Sequence, residues 1–266
     1  MILPKYLYII VDFLIIIVPL LVSIAFLTLL ERKILAGTQL RRGPNIVGFF
    51  GILQPITDGV KLLLKEIIIP FNSNKIIFYI SPLLVFLVSI ILWVFIPFNN
   101  MNYIYNFNIN IFIYFSIASI GVYGVILAGW ASNSKYAFLG SIRSIAQMLS
   151  YEITMFISIL PLLFISESLN FIDIVEIQKD IWFIIIFPVS TFCFFITLLA
   201  ETNRTPFDLP EAEGELVSGY NIEYSSMIFA LFFLAEYANI LISSALFSIF
   251  FLGGWNNFFI IASSNG

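Results

Sequence analysis

Six stretches of almost unbroken apolar residues run along the chain, at approximately Tyr6 to Leu30, Ile76 to Ile96, Ile111 to Trp130, Met148 to Ile165, Ile181 to Leu199 and Tyr224 to Leu252. Each is close to the ~20 residues that a helix needs to cross the hydrocarbon of a bilayer. Lipid offers no partner to a backbone N–H or C=O, so segments of this kind predict helices that satisfy their own hydrogen bonds. The pattern predicts an all-α integral membrane protein, one polytopic domain over 1–266 with about six tilted spans. The Asn-rich link from Asn99 to Asn110 and the acidic link from Ser166 to Asp180 are short. Spans two and three, and four and five, are therefore expected as antiparallel hairpins.

Charge then sets the orientation. The links after spans one, three and five carry 7, 2 and 1 Lys or Arg, against 1, 0 and 1 for the N-terminus and the other two links. Cationic residues stay on the side from which a membrane protein inserts. Links 31–75, 131–147 and 200–223 should accordingly face cytoplasm or matrix, with both termini opposite. No internal repeat is visible, which argues against a transporter built from inverted halves.

Three polar constellations interrupt the apolar pattern. The first link opens Glu31-Arg32-Lys33 and continues through Arg41 and Arg42. Basic residues directly after a span read as orientation signals and as contacts for anionic headgroups. The following stretch, GILQPITDGVKLLLKE from Gly51 to Glu66, is more specific. If Pro55 opens a helix, rotation of ~100° per residue gathers Gln54, Asp58, Lys61 and Lys65 within about 60° of one another. A narrow polar stripe on a greasy helix suits the membrane interface, or the entrance for an amphiphile. Pro70 is expected to end it.

The second constellation is a set of acids within spans: Asp12 in the first, Glu152 near the start of the fourth, and Glu236 in the sixth. A carboxylate at that depth costs about 2.5–3.5 kcal/mol on insertion scales and so needs a reason. A proton relay is one, and a hydrogen-bonded structural acid is the other. Asp12 is expected to reach the interface. The third constellation is AETNRTPFDLPEAEGELVSGYNIEY, from Ala200 to Tyr224, whose stretch from Asp208 to Glu215 holds four of the chain's 16 acids. Asp208 and Glu211 have capping-box spacing for a short helix from about Leu209 to Ser218. Glu201 and Glu223 flank it, and Arg204 is the segment's one base. Like charges so close in a low-dielectric setting titrate as coupled groups, which suits proton storage and transfer.

Composition narrows the chemistry. The chain is 61% hydrophobic and 11% charged, with a mean hydropathy of +1.03. It has no His and a single Cys, Cys193, which removes the usual ligands of haem, zinc, copper and iron–sulfur clusters. No metal, flavin or iron–sulfur cluster is expected on this chain, and no nucleic acid. Cys193, inside an apolar run, reads as a small packing residue. Heavy use of Phe, Ile, Asn and Tyr fits an AT-rich coding genome such as an organelle's.

The motifs ERK, RRGPN, GILQPITDGVKLLLKE, SYE at Ser150 to Glu152, AETNRT, PFDLPEAEGELVSG and LAEYAN at Leu234 to Asn239 resemble those of subunit 1 of respiratory complex I, the proton-pumping NADH:ubiquinone oxidoreductase of mitochondria and bacteria. The resemblance covers essentially the whole chain. It implies tilted helices where the membrane and peripheral arms meet, with ubiquinone as substrate passing through a tunnel towards an iron–sulfur cluster held by a partner. It also implies that Arg32, Arg41, Asp58, Lys61 and Lys65 line or support the quinone entrance, with Phe207 and Asp208 beneath the chamber. Glu152, Glu201, Glu211, Glu213, Glu223 and Glu236 would form an acidic path into the proton-pumping arm. The implied partners are the quinone-reducing peripheral-arm subunits, small membrane subunits and lipid, and the implied location is the mitochondrial inner membrane with the basic links in the matrix. Members of the family usually have two further helices after the glycines matching Gly253 and Gly254. A separate chain is expected to supply them. From a different class, an ion-coupled secondary transporter using intramembrane glutamates would need Glu152 and Glu236 for transport by the chain alone.

Overall fold

The computed structural model describes residues 2–99, 107–208 and 219–256, with side chains from residue 13 onward. Among these residues every regular element is helical. The α-helices are α1 (Ile2–Thr38), α2 (Gln54–Leu64), α3 (Lys75–Leu92), α4 (Asn110–Ser132), α5 (Lys135–Ser166), α6 (Phe171–Ile177), α7 (Phe183–Ile186), α8 (Pro188–Glu201) and α9 (Ser226–Phe251). Five segments are long and apolar enough to cross a membrane: Phe13–Thr38, Lys75–Phe95, Asn110–Ser132, Lys135–Ser166 and Ser226–Phe251.

The fifth expected span, 181–199, is not one helix. It breaks at Phe187 (φ −122°, ψ 64°) into α7 and α8. Phe187 precedes Pro188, whose ring excludes its neighbour from helical geometry. The fourth span is longer than expected. Its helix starts at Lys135, where the Ser134 hydroxyl accepts the Ala137 N–H, so most of 131–147 is helix rather than link. Glu152 consequently lies mid-helix, not near the start of a span. The acidic link likewise contains α6, capped by Asn170, whose Oδ1 accepts the Ile172 N–H at 3.2 Å.

α3 packs on α4, α4 on α5, α5 on α8 and α9 on α3. Two apolar clusters fill this arrangement. One gathers Phe171, Phe183, Phe194, Phe250 and Phe251 around α6 to α9. The other centres on Phe78, Tyr224 and Phe232, with the Phe78 and Tyr224 rings stacked at 4.0 Å. Serine hydroxyls inside the helices bond back to carbonyls three residues earlier, as Ser89 does to Phe86 and Ser158 to Met155, so they need no partner in lipid. The outward faces remain apolar. Cys193 is exposed on α8 rather than packed, because the buried stripe of that helix is Thr191, Phe194, Thr197 and Leu198.

The ends of the helices are stitched by side-chain hydrogen bonds. Buried Gln178 donates to the Ile249 carbonyl at 2.8 Å and accepts the Gly253 N–H at 3.0 Å, tying the chain after α6 to the end of α9. Gly253 (φ +73°) turns the chain where a Cβ would lie 2.6 Å from Trp182 Nε1. At the other end of α9, the Ser226 hydroxyl shares its one hydrogen between the carbonyls of Leu62 and Lys65, and the Ser225 hydroxyl accepts the Ile68 N–H. These bonds dock α2 at the bundle rim. α2 ends at Leu64, with Lys65 extended. Pro70 therefore does not terminate it; the bonds to Ser225 and Ser226 hold the chain in its exit.

α1 lies outermost, against α9 and α2. Near its C-terminal end Glu31 accepts from Arg204 at 2.6 and 3.3 Å and from the Tyr237 hydroxyl at 2.7 Å. The guanidinium carbon sits 4.9 Å from the Tyr237 ring centroid. Burial alone would lower the Arg204 pKa, but the bonds to Tyr237 and Glu31, together with the charge of Glu31, outweigh it and leave the pKa raised. Arg204 thus stays cationic and joins α1, the segment after α8, and α9.

The Glu31 and Arg204 side chains are 30% and 35% exposed. Solvent screening holds such a pair to roughly 1 kcal/mol. Glu31→Gln combined with Arg204→Gln should lower the unfolding free energy of the detergent-solubilised assembly by less than the two single losses together, the shortfall amounting to about 1 kcal/mol; additive losses would show no coupling. A close backbone approach between α5 and the start of the segment before α9 gives a second test. A Cβ on Gly140 of α5 would lie 2.8 Å from the backbone of Gly219. Gly140→Ala should destabilise the bundle by about 1–3 kcal/mol, because neither backbone is free to yield. An unchanged melting midpoint would contradict this packing.

Candidate functional site: a basic rim and a buried acidic cavity

The rim is built from the end of α1 and the start of α2. Gln54, Asp58 and Arg32 form one chain of bonds: Gln54 Nε2 donates to Asp58 Oδ1 at 2.9 Å, and Arg32 donates to Asp58 Oδ2 at 2.7 Å. Gln54 and Asp58 therefore face α1, while Ile56, Val60 and Leu63 point outward. An apolar side left exposed and a polar side held against a neighbouring helix suit a position at a membrane interface. Arg32, Arg41, Arg42 and Gln54 share an open cleft with the segment from Gly43 to Val47. Arg41 is held in it by a 2.8 Å bond to Gln39. Lys33 caps the turn beneath, donating to the Phe50 carbonyl at 2.6 Å.

The structure thus brings Arg32, Arg41 and Asp58 together but does not add Lys61 and Lys65. Both lysines border a separate shallow surface with Ile56, Val60 and Leu64. Lys65 has left the helix, so the regular rotation that aligned it with Asp58 stops one residue short. Phe207 and Asp208 lie on the segment after α8. The Phe207 ring packs edge-on to Tyr151 at 5.6 Å, and its carbonyl accepts from Gln147 at 2.8 Å.

Inside the bundle, between the two apolar clusters, lies a cavity of about 70 Å³. Glu152 from α5 and Glu201 from the end of α8 both line it, with Tyr114, Thr202, Asn239 and Ser243. Val85 and Val125 wall it from one cluster, Val88 and Leu198 from the other. A volume of that size with polar groups in its walls has room for about two water molecules. Asn239 Oδ1 is buried without a hydrogen-bond partner among the described residues, an acceptor for such a water. Glu152 accepts a short hydrogen bond from the Ser119 hydroxyl.

Glu236 stands one helical turn from Asn239 and accepts from the Tyr220 hydroxyl at 2.6 Å. Glu223 is half-buried, three residues beyond Tyr220. Glu211, Glu213 and the short helix expected from Leu209 to Ser218 lie outside the described residues, as does the Asp12 side chain. Of the acids read as a path, the cavity therefore unites Glu152 with Glu201. Among the described residues no cluster of three His, Cys, Asp or Glu is arranged to hold a metal ion.

Sequence reasoning missed Glu31 and Tyr237. Their signal was available: a lone base, Arg204, amid acids, and an acid at the end of an otherwise apolar run. It also missed Ser119, Tyr220 and Asn239, which carry no pattern of their own until the helices are packed.

Comparison with known proteins extends this picture. The chain is 56% identical over 225 residues to NADH-ubiquinone oxidoreductase chain 1 of Cyanidium caldarium, a match covering 85% of this chain and 65% of that protein. It is 55% identical over 227 residues to the protein of the same name from Chondrus crispus, covering 85% of this chain and 69% of that one. A bacterial NADH-quinone oxidoreductase protein, from Paramagnetospirillum magneticum, is 50% identical over 237 residues, or 89% and 70% of the two chains. The matches thus span about two thirds of the length of these relatives. The family model described as NADH dehydrogenase matches residues 11–264. Spanning nearly the whole sequence, and with it the rim and the acidic cavity, that match means that the chain belongs to the NADH dehydrogenase family.

Proposed function

We propose that this chain is a core membrane subunit of a proton-pumping NADH:ubiquinone oxidoreductase, respiratory complex I, in the mitochondrial inner membrane. Its relatives bear the names of NADH-ubiquinone and NADH-quinone oxidoreductase components. The chain carries no electrons itself; it admits the quinone and couples its reduction, completed on partner subunits, to proton movement. The basic links face the matrix, and α7 with α8 crosses as one broken span, completing six.

In this reading the rim is the quinone entrance. A lipophilic carrier leaving the bilayer meets the apolar face of α2 and then the fixed polar groups of Arg32, Arg41 and Asp58. Few polar contacts in an apolar setting orient such a ligand without trapping it. Lys61 and Lys65 guard the approach at the lipid side, and Phe207 and Asp208 belong to the floor of the chamber. Cationic side chains favour charge that develops on the headgroup during reduction.

The observation that carries the proposal is the cavity inside the bundle that Glu152 and Glu201 both line. Two carboxyl groups that line one buried cavity feel each other's charge, so a change at one is transmitted to the other. A change of charge at the quinone end is thereby passed inward, from Glu201 to Glu152, with Glu236 and Glu223 continuing the path and Glu211 and Glu213 joining it to the chamber. The partners are the quinone-reducing peripheral-arm subunits, small membrane subunits and lipid.

Glu201→Gln in the assembled complex should lower NADH-driven quinone reduction about tenfold or more, the scale of a lost proton-transfer group. Electron transfer from NADH to an artificial acceptor upstream of the quinone should be unchanged. Glu152→Gln added to Glu201→Gln should cost little further, because the two act as one unit. Equal loss of both electron-transfer activities would indicate failed assembly and contradict the assignment.

A further inference from the structure

Gln147 of α5 lies five residues before Glu152, 7% exposed and below the acidic cavity. Its Nε2 approaches three oxygens: the Ala200 carbonyl at 2.8 Å, Asn203 Oδ1 at 3.1 Å and the Phe207 carbonyl at 2.8 Å. An amide nitrogen has two hydrogens, so three acceptors compete for them. Its own Oε1 is buried without a partner among the described residues. The arrangement is unlike an ordinary structural glutamine, whose donors and acceptor are both satisfied.

The three acceptors are not equivalent. Ala200 precedes Glu201 at the end of α8, which lines the acidic cavity. Phe207 lies at the other end of the same short segment and packs on Tyr151 of α5. Asn203 sits between them in left-handed conformation (φ +50°), which Asn tolerates better than most residues. A single side chain therefore holds both ends of the segment that runs from the acid to the chamber floor.

We propose that Gln147 is a positioning residue that couples the segment at Phe207 to the acid-bearing end of α8 by sharing two amide hydrogens among the Ala200, Asn203 and Phe207 oxygens. This rests on the quinone and proton-path reading of the site. A shift of the Phe207 carbonyl towards or away from Nε2 changes how strongly the other hydrogen is drawn to Ala200. Movement at the chamber floor is then felt at Glu201, without any proton passing through Gln147 itself. Two discrete pairings of one donor group give the bistable element that coupling between sites requires.

The test uses Gln147→Met, which keeps the side chain's length and removes both hydrogens, in the complete membrane-embedded complex. The short-chain quinone KM should rise about tenfold, as expected when buried carbonyls lose a donor. Protons pumped per NADH should fall, and electron transfer from NADH to an artificial acceptor should be unchanged. A merely structural glutamine would reduce the amount of complex but leave the KM and pumping ratio of the assembled fraction as in the wild type, and that result would overturn the proposal.

Should Gln147→Met not assemble, Gln147→Glu decides the matter. Its KM should be high in alkaline medium and return towards the wild-type value on acidification, when the carboxyl group carries a hydrogen to donate. A KM insensitive to pH, or failure of both variants to assemble, would likewise overturn it. Failure of the underlying reading is distinguishable: Glu201→Gln would then leave quinone reduction intact whatever Gln147 does.

Discussion

A carboxyl group inside a bundle of lipid-facing helices must find its hydrogen-bond partner within the protein, because the solvent around it offers none. The partner's chemistry then decides whether the group can change its protonation. A guanidinium only donates and favours the ionised acid, whereas a hydroxyl can donate or accept and serves either form. Glu152 is partnered by Ser119 and Glu236 by Tyr220. Arg204 is spent on Glu31, with Tyr237 completing the set. Glu31 is therefore held by a cation that can only donate, whereas the partners of Glu152 and Glu236 are hydroxyl groups.

The same constraint explains how the fold is assembled. Apolar faces alone do not fix helices in lipid, since lipid tails are as apolar as leucine. Position comes instead from a few polar side chains that bond from one element to another. Gln178 ties α6 to the end of α9, Ser225 and Ser226 dock α2, and Gln147 holds the segment after α8. Close approaches at Gly124 and Gly140 let α4 and α5 lie against their neighbours. The phenylalanine clusters fill what remains.

Much of this was legible in the sequence wherever a single physical signal dominated. Long apolar runs gave the spans, Pro55 gave the start of α2, and the spacing of Gln54 and Asp58 gave the face turned to α1. Other elements failed where two signals competed. The run from Ile181 to Leu199 is apolar enough for one helix, but Pro188 breaks it through the geometry of Phe187. The stretch from Lys135 to Gln147 is polar enough to look like a link, yet Ser134 caps a helix there and nothing stops it. That misreading placed Glu152 near a span's start instead of its middle. The hydroxyl partners were not legible at all, since Ser119 and Tyr220 acquire meaning from helices distant in sequence. Cys193 faces outward because helical phase, not hydrophobicity, decides which side of α8 is buried.

On the proposed reading, the interior carboxyl groups change protonation when the quinone is reduced, while Glu31 does not. Infrared difference spectroscopy of the assembled complex, recorded with the quinone oxidised and then reduced, observes this directly through the carboxylic C=O stretch. The account predicts a reduction-induced band that disappears in Glu152→Gln and Glu201→Gln and persists in Glu31→Gln. A difference spectrum without carboxylic bands, or one that only Glu31→Gln abolishes, would contradict it.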